Sequence, residues 1–232
     1  MRGNLIFMFS EEVLEMLVEQ FPYALWETFY ATLLATLFAL ILGLPLGVLL
    51  VVGEEKGIKP LPKQLMKAID VFINILRSVP FLIVVIVVFP LTRVIVGTTV
   101  GTVASIVPLV IAAFPFIARL VESSLREVNP NLIEMAKSMG ATPFEIITKV
   151  LLRESVPSLI NNITIAITTI LGYTAMSGVV GGGGLGKIAI NYGYYRYNYP
   201  VMIWAVIILV IMVQIIQKLG TSIAVKTDKR LK

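Results

Sequence analysis

The sequence predicts an all-α integral membrane protein with five transmembrane helices and a charged helix pair between the third and fourth spans. Of its 232 residues, 57% are hydrophobic and 14% are charged, whereas soluble domains carry about 25% charged residues. The apolar residues form long runs, and a helix needs about 20 such residues to cross a membrane. Barrel strands would instead alternate polar and apolar positions over ~10 residues. The predicted spans are 29–52, 71–91, 98–118, 156–178 and 197–217.

The segment 1–25 precedes the first predicted span. It contains four glutamates between residues 11 and 19 and lacks a cationic start followed by a short apolar core and a small-residue cleavage site, so it is not interpreted as a cleaved signal peptide. Its apolar residues recur every three or four positions, as on one face of a helix: Val13, Leu14, Leu17, Val18 and Phe21. This pattern predicts a short amphipathic helix on the extracytoplasmic surface, and the alternative is a frayed tail.

The distribution of Lys and Arg predicts that the N-terminus lies outside and the C-terminus in the cytoplasm. In this orientation 14 of the 19 cations fall in cytoplasmic segments and four fall outside, as the positive-inside rule requires. The remaining cation, Arg77, lies near the inner end of the second span, where its side chain can reach the interface. A membrane domain over 26–218 is therefore followed by a basic cytoplasmic tail, 219–232. The net charge of +5 follows from this bias and does not indicate nucleic-acid binding.

The composition leaves little with which to build a catalytic or metal site, because the sequence contains no Cys and no His. The segment from Gly181 to Lys187 matches the start of a phosphate-binding loop only superficially. Such a loop needs Ser or Thr after the Lys and a preceding buried strand, but Ile188 follows here and a membrane span precedes. No catalytic residue and no bound cofactor are expected, so any ATP must bind another subunit.

The charged segment 129–153 predicts two short helices separated by a glycine turn. Asn129 can cap the first helix, Pro130 suits its first position, and Gly140 can end it with positive φ. Thr142 and Glu145 then have the spacing of a capping box for the second helix. A helix pair with more apolar residues than it can bury is expected to dock onto a partner.

Six residues carry a family motif through this helix pair: Glu134, Met135, Ala136, Gly140, Val150 and Leu152. Their spacing resembles the EAA loop of permease subunits in binding-protein-dependent ABC importers, where this loop forms the coupling helix that contacts the ATPase. The chain departs from the usual motif at Met135, Val150 and Arg153. The segment 77–81 resembles one found in amino-acid permeases of this superfamily, and further segments are similar to its methionine-importer permeases: 92–98, 115–119, 139–143, 172–178 and 183–186.

The resemblance implies a bacterial inner or plasma membrane permease that imports a small amino acid, with methionine favoured, and is not itself an enzyme. It implies a homodimer that binds two cytoplasmic ABC ATPase subunits, which carry ATP and magnesium, and an extracytoplasmic substrate-binding protein. The implied ATPase-coupling residues are Glu134, Met135, Ala136, Gly140, Ala141 and Leu152.

The end of the fourth span is the candidate transport pathway. Met176 is interpreted as a pathway or gate residue because a flexible thioether can seal and yield, with Tyr173 and Ser177 beside it. Ordinary helix packing is the alternative. Four glycines after it predict a hinge or close packing, with direct substrate contact as the alternative: Gly178, Gly183, Gly184 and Gly186.

Three other functions remain as alternatives. The first is a permease of the same class for another small amino acid or a thioether. An ion-driven carrier is disfavoured because the five apolar runs contain no Asp, Glu or His and no internal repeat is visible. A membrane scaffold is the third. Arg119 and Glu122, three residues apart, are interpreted as an interfacial pair rather than a functional one.

Overall fold

The computed structural model describes residues 11–228 apart from the side chain of Glu12, and this part of the chain is helical with no strand. We number its α-helices in chain order. They are α1 Glu11–Glu19, α2 Phe21–Val52, α3 Lys63–Ser78, α4 Phe81–Val96, α5 Thr102–Arg126, α6 Pro130–Ser138, α7 Pro143–Glu145, α8 Leu152–Glu154, α9 Val156–Ser177, α10 Gly184–Lys187 and α11 Tyr199–Thr227. Two π-helices cover Ile146–Leu151 and Ile188–Tyr194, and a 3₁₀ turn covers Gly178–Val180.

Four of these helices are long and apolar enough to cross a membrane: Phe21–Val52, Thr102–Arg126, Val156–Val180 and Tyr199–Thr227. The pair α3 and α4, which is bent at its break, provides a fifth crossing if it counts as one span. The predicted second span, 71–91, is not one straight helix, because α3 ends at Ser78 and α4 begins at Phe81. Pro80 has no N–H and disfavours helical backbone at the residue before it, and Val79 accordingly has extended φ and ψ of −84° and 125°.

The helices extend beyond the predicted spans. The helix α2 begins at Phe21 rather than at residue 29, and α5 continues to Arg126 rather than ending at 118. The helix α11 continues to Thr227, so the first residues of the predicted tail 219–232 are helical. Positions 229–232 of that tail and 1–10 of the N-terminal segment lie outside the described residues.

The chain divides into two compact units, and the first contains residues 11–37, 80–111 and 167–216. Its core joins α1 and α2 to the later segments, with Val13, Phe21, Leu171, Leu185 and Val201 all buried. The predicted N-terminal helix is present as α1. Only part of its predicted apolar face packs, since Leu14 and Val18 are exposed.

The second unit contains residues 38–79, 112–166 and 217–228. A small apolar cluster of Leu50, Ile73 and Ala118 packs α2, α3 and α5 together. A network of ion pairs continues this contact, because Glu122, itself buried, accepts from Arg119 at 2.7 Å and from Arg126 at 2.8 Å. The two arginines also pair with acids outside α5, namely Asp70 and Glu54. The pair predicted at the interface thus anchors α5 to α3.

Candidate functional site

The helix pair of the second unit begins and ends with defined caps. The side chain of Asn129 accepts a hydrogen bond from the Asn131 N–H at 3.0 Å, and Pro130 occupies the first turn of α6. Gly140 ends the helix with φ of 78°, a left-handed conformation that favours glycine. The N–H of Ala141 donates to the Ala136 carbonyl at 3.1 Å. The caps predicted from the sequence form in the structure, so the turn between the helices is fixed.

A capping box starts the second helix of the pair. The Glu145 N–H donates to Thr142 Oγ1 at 3.3 Å, and the Thr142 N–H donates to Glu145 Oε2 at 3.1 Å. Lys149 Nζ lies 2.9 Å from Glu145 Oε1. The hydrogen bond from Lys149, followed by those from Thr142, lowers the pKa of Glu145 to about 2. The carboxylate is therefore ionised at neutral pH.

Three large apolar side chains project from this capped helix pair into solvent. Met135, Met139 and Phe144 are 56%, 81% and 74% exposed, and we call them the apolar docking patch. Met139 and Phe144 are absent from the predicted coupling set. The signal that identifies them is their position next to the glycine turn, where neither helix can cover them.

The predicted coupling residues occupy different positions in the pair. Glu134 is exposed, like Met135 of the docking patch, whereas Ala136 is buried and Leu152 half-buried. Gly140 and Ala141 form the turn, with Gly140 exposed and Ala141 half-buried. Glu134, Met135 and the turn can therefore contact a partner directly. Ala136 packs inside the pair.

The three predicted pathway residues lie in the last turns of α9, in the first unit. The ring of Tyr173 stacks on Phe81, with centroids 4.7 Å apart and 3° between the planes. Met176 is 43% exposed. Ser177 is buried, and its hydroxyl donates to the Thr174 carbonyl at 2.7 Å. Met176 is therefore the exposed member of the three, and Ser177 presents no surface to a pathway.

The glycines that follow α9 lie where backbones approach closely. A Cβ on Gly186 would lie 2.7 Å from the Ala175 Cα, and one on Gly178 would clash with the backbone at Gly186 and Lys187. Gly183 and Gly184 lie against polar side chains of α2 and α5. This geometry favours the packing interpretation of the segment. Glu27 of α2 is one of these polar side chains, and the sequence contains no local pattern that predicts its contact with the glycine segment.

Residues 11–228 contain no cluster of His, Cys, Asp or Glu that is arranged to hold a metal ion. These residues instead form apolar spans, with a capped and exposed helix pair between α5 and α9. These features define a polytopic membrane protein with a surface for a partner.

The chain belongs to the family of binding-protein-dependent transport system inner membrane components, whose family model matches residues 43–232. It is therefore a multi-pass inner membrane protein and the transport subunit of its system. The predicted family resemblance and the all-α membrane fold class are confirmed. The family also decides against the ion-driven carrier.

Relatives and solved structures agree with this assignment. The chain is 48% identical over 208 residues to the probable D-methionine transport system permease protein MetI of Vibrio cholerae, covering 89% of this chain and 92% of that protein. It is 45% identical over 168 residues to the methionine import system permease protein MetP of Bacillus subtilis, covering 72% and 76%. A chain of the MetNI methionine ABC transporter in inward-facing conformations matches with TM-score 0.90 and 44% identity, covering 95% of this chain and all of that one.

Proposed function

We propose that this chain is the permease subunit of an ATP-driven ABC importer that takes up methionine. Two copies of the chain form the membrane pathway, and two cytoplasmic ATPase subunits bind ATP and magnesium. A substrate-binding protein outside the membrane delivers methionine. The naming of the relatives supports the substrate, since identities of 44% to 48% extend over most of this chain and of theirs.

The observation that carries the proposal is the apolar docking patch on the capped helix pair. Exposed clusters of large apolar side chains mark sites of protein contact, and Met139 and Phe144 have most of their surface exposed. The ATPase is the partner, and the caps at Asn129 and Thr142 keep the pair rigid enough to transmit its movement. Glu134, Met135, Gly140 and Ala141 contact the ATPase, while Ala136 and Leu152 support the pair from within.

The orientation follows from the position of this patch. The ATPase acts on cytosolic ATP, so the segment 129–153 lies in the cytoplasm. With α3 and α4 counted as one crossing, three crossings precede this segment and two follow it, so the segment 1–25 lies outside and the tail 219–232 lies inside. In this arrangement the membrane domain covers 26–218, and the cations of the tail lie in the cytoplasm, as the positive-inside rule requires.

Met176 is the proposed gate of the pathway between the two copies. Its exposed thioether lies at the end of α9, and Tyr173 supports the helix behind it by stacking on Phe81. Replacing Met176 with Ala is expected to change uptake and to raise basal ATPase activity, because a shorter side chain closes the pathway less completely. Unchanged values of both quantities would assign Met176 to ordinary packing.

The proposed function is tested by reconstituting the chain with its ATPase and binding protein in liposomes. Labelled methionine is expected to accumulate only when all three components and ATP are present. Unlabelled methionine stereoisomers, other small amino acids and thioethers serve as competitors. If labelled methionine does not accumulate but one of the competitors does when it is labelled instead, the substrate assignment is wrong and the transport class still holds.

A charge placed at the turn of the helix pair tests the coupling role in the same liposomes. The Ala141→Asp variant is expected to lower uptake at least about tenfold, a loss of about 1.4 kcal/mol of coupling, because the carboxylate is desolvated against the ATPase. Ala141→Ser, which adds a small uncharged group, is the matched control and keeps most uptake. Normal uptake by Ala141→Asp would contradict the assignment.

A further inference from the structure

A carboxylate within α2 joins three separate segments of the first unit. Thr102 Oγ1 donates a hydrogen bond to Glu27 Oε1 at 2.5 Å, and the Gly184 N–H donates to Glu27 Oε2 at 2.8 Å. Beside it, Thr28 Oγ1 accepts from the Leu185 N–H at 2.9 Å. Each oxygen of the carboxylate therefore has a donor, one at the start of α5 and one at the start of α10.

The glycine at position 183 is explained by this carboxylate and not by a turn. Gly183 has φ of −110°, which residues with a side chain also adopt. A Cβ there would lie only 2.8 Å from Glu27 Oε2 and would clash with Thr102 Oγ1. The backbone thus fits against Glu27 and Thr102 because the side chain is missing, and we call this contact the glycine anchor.

The anchored segment is tied directly to the end of α9. The Gly182 N–H donates to the Ser177 carbonyl at 2.9 Å, and the Gly101 N–H donates to the Gly181 carbonyl at 2.8 Å. Met176 precedes Ser177 on the last turn of α9. A displacement of the segment 181–185 would therefore reach the backbone that carries Met176.

Glu27 supplies two acceptors to the anchor at once, one to the Thr102 hydroxyl and one to the Gly184 N–H. A carboxylate within a membrane-crossing helix carries a desolvation cost and marks a functional position unless it has a structural use. The ion pairs found among the described residues do not include Glu27, so its identified contacts are the hydroxyl and backbone donors of the anchor.

We propose that Glu27 is a positioning residue of the transport pathway. Its carboxylate fixes the segment 182–185, and this segment fixes the end of α9 where Met176 is exposed. Glu27 does not touch the transported molecule and acts through the backbone of the glycine segment. The proposal rests on the transport function given above.

Hydrogen–deuterium exchange tests the anchor without any substrate. The full chain is purified with its ATPase as Glu27→Ala, Glu27→Gln and wild type, and exchange is followed at the amides of residues 182–185. Loss of both acceptor oxygens is expected to speed this exchange about tenfold, because protection reports the free energy of local opening. Glu27→Gln keeps one acceptor oxygen and is expected to lie between the two. Glu19→Ala, at an exposed glutamate of α1, is the matched control and leaves the exchange unchanged.

Uptake per ATP hydrolysed tests the positioning role in liposomes that contain equal amounts of assembled complex. Glu27→Ala is expected to lower this ratio about fivefold, with partial rescue by Glu27→Gln, because an unfixed segment gates less accurately. Gly183→Ala is expected to reproduce both effects by displacing the carboxylate.

Three results would overturn the proposal. The first is unchanged exchange at 182–185 in Glu27→Ala, and the second is faster exchange with the same uptake per ATP as the wild type. The third is a loss of uptake that is accounted for wholly by less assembled complex. A wild-type complex that imports no methionine would count against the proposed substrate, while the exchange comparison would still decide whether Glu27 holds the segment.

Discussion

At the scale of single residues, Glu145 links the cap of the second helix to its first turn. Its carboxylate accepts from Lys149 and from both the N–H and the hydroxyl of Thr142. These contacts favour the charged form and lower the pKa to about 2. A lowered pKa means that the contacts stabilise the fold fully above the ordinary value of about 4.3. The stabilisation is lost as the pH falls towards 2 and is constant near neutrality.

We therefore expect the Glu145 carboxyl to remain mostly ionised at pH 3. Carbon-13 NMR of selectively labelled protein in micelles measures this titration directly. The Lys149→Ala variant removes the largest cause of the shift, so its midpoint should move up towards the ordinary glutamate value. A midpoint near that ordinary value in the wild type would show that the contacts do not form.

Single residues also show what the sequence could and could not predict about the site. The caps at Asn129, Gly140 and Thr142 were predictable because each depends on partners within a few positions in the chain. The contact between Glu27 and Gly184 joins residues 157 positions apart, so no local pattern announces it. Ser177 was assigned to the pathway from its place beside Met176, and only three-dimensional packing shows that it is buried.

At the scale of elements, the glycine in the turn of the helix pair has a counterpart with a similar backbone conformation at the end of α4. Gly140 and Gly97 have φ of 78° and 84°, and a Cβ on either would meet no atom within 4 Å. Substitution by Ala at either position therefore adds backbone strain without a clash. The expected cost is about 1 to 2 kcal/mol of unfolding free energy in each case.

The two substitutions are expected to differ in function. Gly140→Ala should weaken binding of the ATPase, measured by titration of the labelled chain in detergent, because it distorts the turn beside Met139 and Ala141. Gly97→Ala, at the end of α4, should leave this affinity unchanged. If the two variants bind the ATPase with equal affinity, the turn does not contact the ATPase.

The boundaries of the membrane helices were harder to predict than their existence. Charged residues mark where the hydrocarbon ends, but a helix can continue into water when ion pairs stabilise it. The helix α5 continues past its predicted end at 118, and Arg119, Glu122 and Arg126 form ion pairs there. The break between α3 and α4 was signalled by Pro80, yet the apolar run around it was interpreted as one span. Hydropathy alone does not report the missing N–H of proline.

At the scale of the whole molecule, composition and charge distribution were sufficient for the fold class. Long apolar runs can satisfy their backbone polar groups in a membrane only as helices or closed barrels, and the runs lacked barrel alternation. Family membership then supplies the transport class. The division into two compact units depends on contacts between distant segments, and the sequence contained no pattern that predicts it.

The central claim is that the docking patch faces the cytoplasm and receives the ATPase. The sequence contains no Cys, so a single Met139→Cys substitution gives one labelling site in the patch. Tyr195→Cys, 59% exposed and on the proposed outer side, is the control. The most direct test is labelling with a membrane-impermeant maleimide in right-side-out and inverted vesicles, with and without the ATPase. We expect Cys at 139 to react only in inverted vesicles and to be protected by the ATPase, and Cys at 195 to react only in right-side-out vesicles. Labelling of position 139 from outside, or no protection by the ATPase, would contradict the account.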